Sequence, residues 1–336
     1  MYARYNLRIK SRLQTPLQSD TIFGHLCWAI RDLDGEAALT DFLKSMDSHS
    51  PPLLFSSGFP HGFLPRPVLP PPSRQSTRTL ALQIGHNLAD HEQGRLFLGL
   101  SRVKKLMNQP WVRVSDWSSL QENFTHTGLL HALEAAGSED RPKAPTSLAR
   151  AHVSLSRQDN RVLDPGGLYF TREHWYPENT YLDVYCWFAD NFWQDLWERA
   201  WKQAICPIGF GKDKSTGAGR LDMHRDQDFD PSIFTHPEPT AWMNLSHACL
   251  EEFPVGRCWY RPHLKLGKLG GTFAVHGPDG GRANPFKKPI LMQEPGSVSL
   301  SPNSPQGRLL SNVHTDERIR HSGLCLCIPF AYGGSA

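Results

Sequence analysis

The 336-residue chain predicts an α+β fold, with strands and helices in βαββαβ order, a stretched middle and a second strand-rich region. Three observations carry this. Near the N-terminus Tyr5, Leu7 and Ile9 fall on one face while Arg4, Asn6, Arg8 and Lys10 fall on the other, as in a half-buried strand with a basic outer side. After Pro16, the residues Ile22, Phe23, Leu26, Cys27, Ile30 and Leu33 recur at helical spacing, with Asp20 placed to cap them. Finally, an apolar run from Tyr181 to Ala189 leads into a helix capped by Asp190, a glycine-rich loop and a strand over 220–224.

The connecting segments fill in the order. Residues 37–46 predict a second short helix. The segment 50–73 holds eight prolines among Phe55, Phe59 and Phe63, so it predicts a packed loop without regular sheet or helix. Residues 85–167 read as an irregular insertion, helical only over 102–107, with a charged tip at 139–145. Arg102, Lys104 and Lys105 near its start and Arg157 and Arg161 near its end suit two basic arms of a protrusion. Trp193, Trp197 and Trp201 lie at i, i+4, i+8 and read as core. Beyond a polar connection at 226–239, strands are expected over 240–250, 257–262, 289–292 and 324–330. No repeat is visible in the residues. The order suits a ferredoxin-like domain with an extended middle, followed by a second sheet-rich domain.

Composition narrows the class. Hydrophobic residues are 39% and charged residues 21%, which suits a folded protein rather than a disordered chain. No segment reaches the ~18 apolar residues expected of a membrane span, and the first residues lack the apolar stretch of a signal peptide. Seven cysteines without a CxxC pair are expected to be reduced core thiols in a cytoplasmic protein. The net charge of +3 is small, so local clusters matter more than the total.

The most informative stretch is Ile208-Gly-Phe-Gly-Lys-Asp-Lys-Ser-Thr-Gly-Ala-Gly-Arg220. Gly209, Gly211, Gly217 and Gly219 let backbone amides approach an anion, and Lys212, Lys214 and Arg220 add charge beside Ser215 and Thr216. It is not a phosphate loop of the Walker type, because Asp213 precedes Lys214-Ser215 and the loop runs from helix to strand. A glycine hairpin without ligand remains the other reading. Sixteen histidines are scattered; no HExxH, HxE with PCxxC, or GxSxG occurs, so no catalytic residue and no metal site are expected. His61, His86, His91, His126 and His131 are loosely spaced near the insertion, where a general acid or base is conceivable, and His224 is the nearest in sequence to the glycine loop.

Several segments together resemble the RAMP proteins of CRISPR interference complexes. Residues 15–28, TPLQSDTIFGHLCW, resemble their first helix; residues 59–67, FPHGFLPRP, resemble the segment after it; residues 209–220 resemble the RAMP glycine loop. Residues 267–271, 284–291 and 320–324 resemble second-domain segments of the fourth subunit of type III-A (Csm) complexes. The extra residue in Lys212-Asp213-Lys214, and Ser322 in the last segment, depart from the commonest pattern.

The resemblance implies tandem ferredoxin-like (RRM-like) RAMP domains with a middle thumb insertion: residues 1–225, with the insertion at about 85–167, and residues 240–336. It implies a non-catalytic RNA-binding subunit, without cofactor, that caps the 5′ handle of the crRNA. Its partners would be the large polymerase-type subunit and a backbone RAMP subunit. Carried onto this sequence, the RNA-binding residues would be those of the loop together with Ser19, Arg66, Lys104, Lys105, Lys287 and Lys288. Three alternatives stay open: the equivalent subunit of another type III complex, a RAMP-fold endoribonuclease cutting repeat RNA, and an interaction protein without RNA. A cleavage assay on repeat RNA separates the second, and salt-dependent RNA binding excludes the third.

Overall fold

A computed structural model of the chain describes residues 1–137, 141–162, 167–250, 257–274 and 284–334. The alternating N-terminus forms strand β1 (Tyr2–Ile9), with Tyr5, Leu7 and Ile9 buried. It continues into helix α1 (Ser19–Met46), which is broken at Gly35 (φ 90°), so the expected second helix is the far half of one element. The cap is Gln18, not Asp20. Asp20 sits in the first turn, where it pairs with Lys265. The proline-rich segment is less irregular than expected. It carries the short strands β2 (Leu53–Phe55), β3 (Phe59–Pro60) and β4 (Phe63–Pro65), with prolines at strand ends, where a missing donor costs little.

The insertion departs most from the sequence reading. Helix α2 (Arg74–Gly85) leads into it, and it holds α3 (Glu92–Met107), β5 (Trp111–Arg113), α4 (Val114–Leu120) and α5 (His126–Ala135). Ser73 caps α2 by accepting from the Ser76 amide at 3.0 Å, and Thr125 caps α5 by accepting from the Gly128 amide at 3.0 Å. Only the hairpin of β6 (Thr146–Val153) and β7 (Leu168–Trp175) projects, with Leu148, Val153, Leu168 and Phe170 exposed. The two basic arms do not form, because Arg102 is fixed within the helices by Glu134 at 2.6 Å. Of the expected tip, residues 139 and 140 lie outside the described residues, and Arg141 to Pro145 line a cleft instead.

The chain then forms β8 (Tyr181–Phe188), α6 (Asn191–Ala200) and β9 (Leu221–Arg225). The first sheet runs β2-β8-β1-β9, all neighbours antiparallel, with β3 also on β8. Asp190 caps α6 through the Trp193 amide. Helices α1 and α6 cover the face of Tyr5 and Leu7. Trp197 and Trp201 are fully buried there and Trp193 packs at the edge, as their spacing predicted.

The second half adds β10 (Ala241–Asn244), β11 (Cys258–Trp259), β12 (Pro262–Lys265), β13 (Ile290–Gln293), β14 (Val298–Leu300), β15 (Arg308–Leu310), β16 (His321–Gly323) and β17 (Cys327–Phe330). Its main sheet runs β11-β14-β10-β17, again antiparallel. By chain order this repeats the first sheet: second strand, third, first, fourth. Among the described residues no helix lies between β10 and β11 or between β14 and β17. The helical layer comes from the insertion. Trp117 of α4 and Phe124 before α5 pack on Phe330 at 5.3 and 5.2 Å between rings, within a core shared by Leu129, Leu130, Met243 and Ile328. Insertion residues thus share one core with the second main sheet. The seven cysteines are all free, and no helix among the described residues is long and apolar enough to cross a membrane.

Trp197→Ala should lower unfolding free energy by about 3–5 kcal/mol, because a fully buried indole is removed. Phe192→Ala, on the same helix but 64% exposed, should change it by less than about 0.5 kcal/mol. Urea unfolding of the two variants compares them directly.

Candidate nucleic-acid interface

The loop at 209–220 is held by the chain just after β1. The Gly219 amide donates to the Arg12 carbonyl (2.9 Å) and the Arg220 amide to Ser11 Oγ (2.9 Å). The Lys212 amide donates to Thr15 Oγ1 (3.1 Å), and the Gly211 amide to His25 Nε2 on α1 (2.8 Å). Across the loop the Phe210 amide donates to the Gly219 carbonyl at 2.8 Å. Phe210 is fully buried and stacks on His25, with ring centres 4.5 Å apart. Most loop amides therefore serve the protein. The exceptions are the amides of Asp213, Lys214 and Ser215, which have no acceptor among the described residues. They open a short turn between left-handed residues at Asp213 (φ 58°) and Gly217 (φ 82°).

The loop glycines serve different ends. A Cβ on Gly219 would lie 1.9 Å from the Phe210 carbonyl oxygen, so this glycine lets the loop close on itself. A Cβ on Gly217 would meet nothing within 4 Å and projects into open space. Lys212, Ser215 and Arg220 are exposed and Lys214 is half-buried, and the Arg220 guanidinium donates to the Pro207 carbonyl. The Thr216 hydroxyl is spent on the Asp213 carbonyl.

The other expected contact residues divide. Ser19 is buried, accepts from the His247 amide at 2.9 Å and ties the two halves together. Arg66 is buried and its guanidinium donates to the Leu106 carbonyl (3.0 Å) and that of Met107, closing the end of α3. Burial brings Arg66 down to about 10. Lys104 and Lys105 are exposed on α3, whose partners are α2 and α5, so the fold does not bring them to the loop. Lys287 is packed inward, donating to the Arg320 carbonyl at 2.7 Å, and burial lowers it to about 8. Lys288 is exposed. Ser19, Arg66 and Lys287 are therefore occupied by the protein.

Sequence reasoning missed a cleft of about 860 Å³ lined by residues of both halves of the chain. It begins at Pro16 and Gln18, immediately beyond the loop's anchor at Thr15. Trp111, Tyr176 and Tyr181 line it, with Arg141, Lys143 and Arg261 as cations. At its edge His61 Nδ1 donates to Asp183 Oδ1 (2.8 Å). The fully buried Asp183 also accepts from Asn6 Nδ2 (2.7 Å) and the Gly62 amide (2.9 Å). The bond to Asp183 raises the His61 pKa, which favours a cation facing the cleft. Behind the cleft, Gln18 links His247 (3.1 Å) to Lys265 (2.6 Å), and Lys265 pairs with Asp20 at 2.6 Å. Residues 15–28 and 59–67, singled out in the sequence, contribute Pro16, Gln18, Phe59, His61 and Arg66 to its lining, but nothing in them marked a cleft. Among the described residues no cluster of His, Cys, Asp or Glu could hold a metal.

No family model and no curated protein matches the chain. Solved structures do. A chain of a Csm1–Csm4 cassette in complex with AMPPNP has a TM-score of 0.55 at 16% identity over 100% of both chains. A chain of the same cassette with pppApA gives 0.53 at 16% over 99% of both. A chain of a Csm3–Csm4 subcomplex of a type III-A CRISPR–Cas interference complex gives 0.54 at 14%, covering 98% of this chain and 99% of that one. These proteins share this chain's fold along its whole length.

Gly219→Val should break the loop closure and lower stability by several kcal/mol, about the cost of overpacking or more. Gly217→Asn should leave stability within about 1 kcal/mol, since asparagine accepts the left-handed region. Thermal melts of both variants check this. Burial pushes His247 and His321 down to about 4, below the ~6.5 of an unfolded chain. Unfolding then takes up protons between these values, so stability should fall as pH drops from about 6.5 to 4, by about 1.4 kcal/mol per pH unit per histidine. His247→Asn should flatten urea midpoints over that range, and an unchanged slope would contradict the assignment.

Proposed function

We propose that this protein is the RAMP-type subunit of a type III-A CRISPR effector that holds the 5′ handle of the crRNA and joins the large subunit to the backbone. The observation that carries this reading is the loop at 209–220. It is fixed by residues 11–25, leaves the amides of Asp213 to Ser215 without an acceptor among the described residues, and carries Lys212, Lys214 and Arg220 in the same short stretch. Amides and cations on one exposed turn suit the sugar–phosphate of single-stranded RNA. The cleft from Pro16 to Tyr181 would continue the track, with aromatic walls for unstacked bases and cations for phosphates.

The comparisons support the same placement. The similar chains come from assemblies containing Csm1 and from one containing Csm3, and Csm4 is the component common to both. The partners of this chain would then be a large polymerase-type subunit and a backbone RAMP subunit in the cytoplasm. The two sheets with the same strand order read as tandem ferredoxin-like domains, divided near residues 225 and 240. The β6–β7 hairpin, not the whole of 85–167, would be the thumb.

The subunit would be a scaffold, not an enzyme. One arrangement favours the ribonuclease reading: the His61–Asp183 pair, an imidazole oriented by a buried carboxylate at the mouth of the cleft. His61→Ala should leave repeat-RNA length unchanged in the assembled complex. Loss of processing with intact assembly would favour the enzyme.

Binding of short single-stranded RNA should weaken with salt. The double variant Lys212→Ala/Lys214→Ala should reduce the slope of log K against log salt by about 1.4, from about 0.7 per phosphate contact. Affinity should fall about tenfold to a hundredfold. Fluorescence anisotropy at several salt concentrations measures both.

A further inference from the structure

Beyond the loop's charge, its conformation hangs on an imidazole that no loop pattern includes. His25 lies on α1, seven residues beyond the helix's cap. Its Nε2 accepts the Gly211 amide at 2.8 Å, and its ring stacks on buried Phe210, which stacks in turn on Trp201. An acceptor at Nε2 must be unprotonated, so the ring is neutral with its proton on Nδ1. Burial, with Lys214 close by, lowers the pKa of His25 to about 4 and keeps it so. The neighbouring hydroxyls are already engaged: Thr15 takes the Lys212 amide and Ser11 that of Arg220. Gly211 cannot retreat toward the chain either, since a Cβ there would already lie 2.6 Å from Thr15 Cβ.

We propose that His25 is the positioning residue of the glycine loop: its neutral Nε2 anchors Gly211, and this sets Lys212 and Lys214 in the orientation that receives RNA phosphates. The anchoring stands on the geometry alone; its consequence for RNA rests on the function proposed above. A neutral imidazole suits the place better than a second cation would, because a proton on Nε2 would remove the acceptor and face Lys214.

Gly211 amide exchange in the full chain, labelled with ¹⁵N-glycine, tests the anchor. The probe for function is a single-stranded RNA of mixed sequence, about ten nucleotides long. His25→Leu should speed Gly211 exchange and weaken RNA binding, each about tenfold for one lost hydrogen bond. His25→Gln, which restores an acceptor, should recover most of both. Equal exchange in wild type and His25→Leu, or equal loss in the Gln and Leu variants, would overturn the proposal. If His25→Leu fails to fold, a through-hydrogen-bond ¹⁵N–¹⁵N coupling between Gly211 and His25 in the wild type supports the anchor, and its absence overturns it. Should exchange respond as expected while Lys212→Ala/Lys214→Ala leaves RNA binding unchanged, the anchor stands and the RNA reading of the loop fails.

Discussion

Strand β1 and its continuation are the constraint on which the rest depends. β1 pairs with β8 over Tyr2 to Arg8 and with β9 over Tyr5 to Ile9, so it fixes the centre of the first sheet. The residues that follow then supply carbonyl, hydroxyl and imidazole acceptors for the glycine loop, from Ser11 to His25. The loop lies some 200 positions further along the chain, between α6 and β9, and has little regular structure of its own. Its shape is borrowed from the N-terminal segment. That dependence explains why four loop residues at positive φ, Gly209, Gly211, Gly217 and Gly219, are glycines, while Asp213 occupies a fifth such position.

The two halves of the molecule are joined by polar as well as apolar contacts. Ser19, Ser57, His247 and Gln18 form a hydrogen-bonded chain across the junction, which continues to Lys265 and Asp20. A buried carboxylate is tolerated there because burial, which disfavours its charge, is outweighed by Lys265 and by neighbouring imidazoles, and its pKa ends below the usual value. Breaking such a pair by removing one partner is far more costly than the pair itself is stabilising. The network therefore acts more on the fit of the halves, and on the wall of the cleft, than on net stability.

The first sheet was legible in the sequence because its elements carry simple periods. Tyr5, Leu7 and Ile9 alternate, Trp193, Trp197 and Trp201 repeat with the helix, and Asp190 marks a start. The insertion was not, because helices such as α4 and α5 bury their apolar residues against strands far away in the sequence. The reason Trp117 and Phe124 are apolar lies at Phe330, more than two hundred residues away. The glycine loop was visible as a motif, but which of its amides are free depends on Thr15 and His25, which carry no local signature. The internal bonds of Ser19, Arg66 and Lys287 were invisible for the same reason: residue type suggested them as contact residues, and their partners His247, Leu106 and Arg320 lie far away in the sequence. The repeat of strand order was invisible, since the two sheets share topology and not residues.

Photochemical cross-linking of single-stranded RNA to the full chain, read by peptide mass spectrometry, tests the central claim most directly. The account predicts cross-links on peptides spanning 209–220 and on those lining the cleft from Pro16 to Tyr181. Cross-links confined to the far side of α1 and α6, or none above a protein that does not bind RNA, would contradict it.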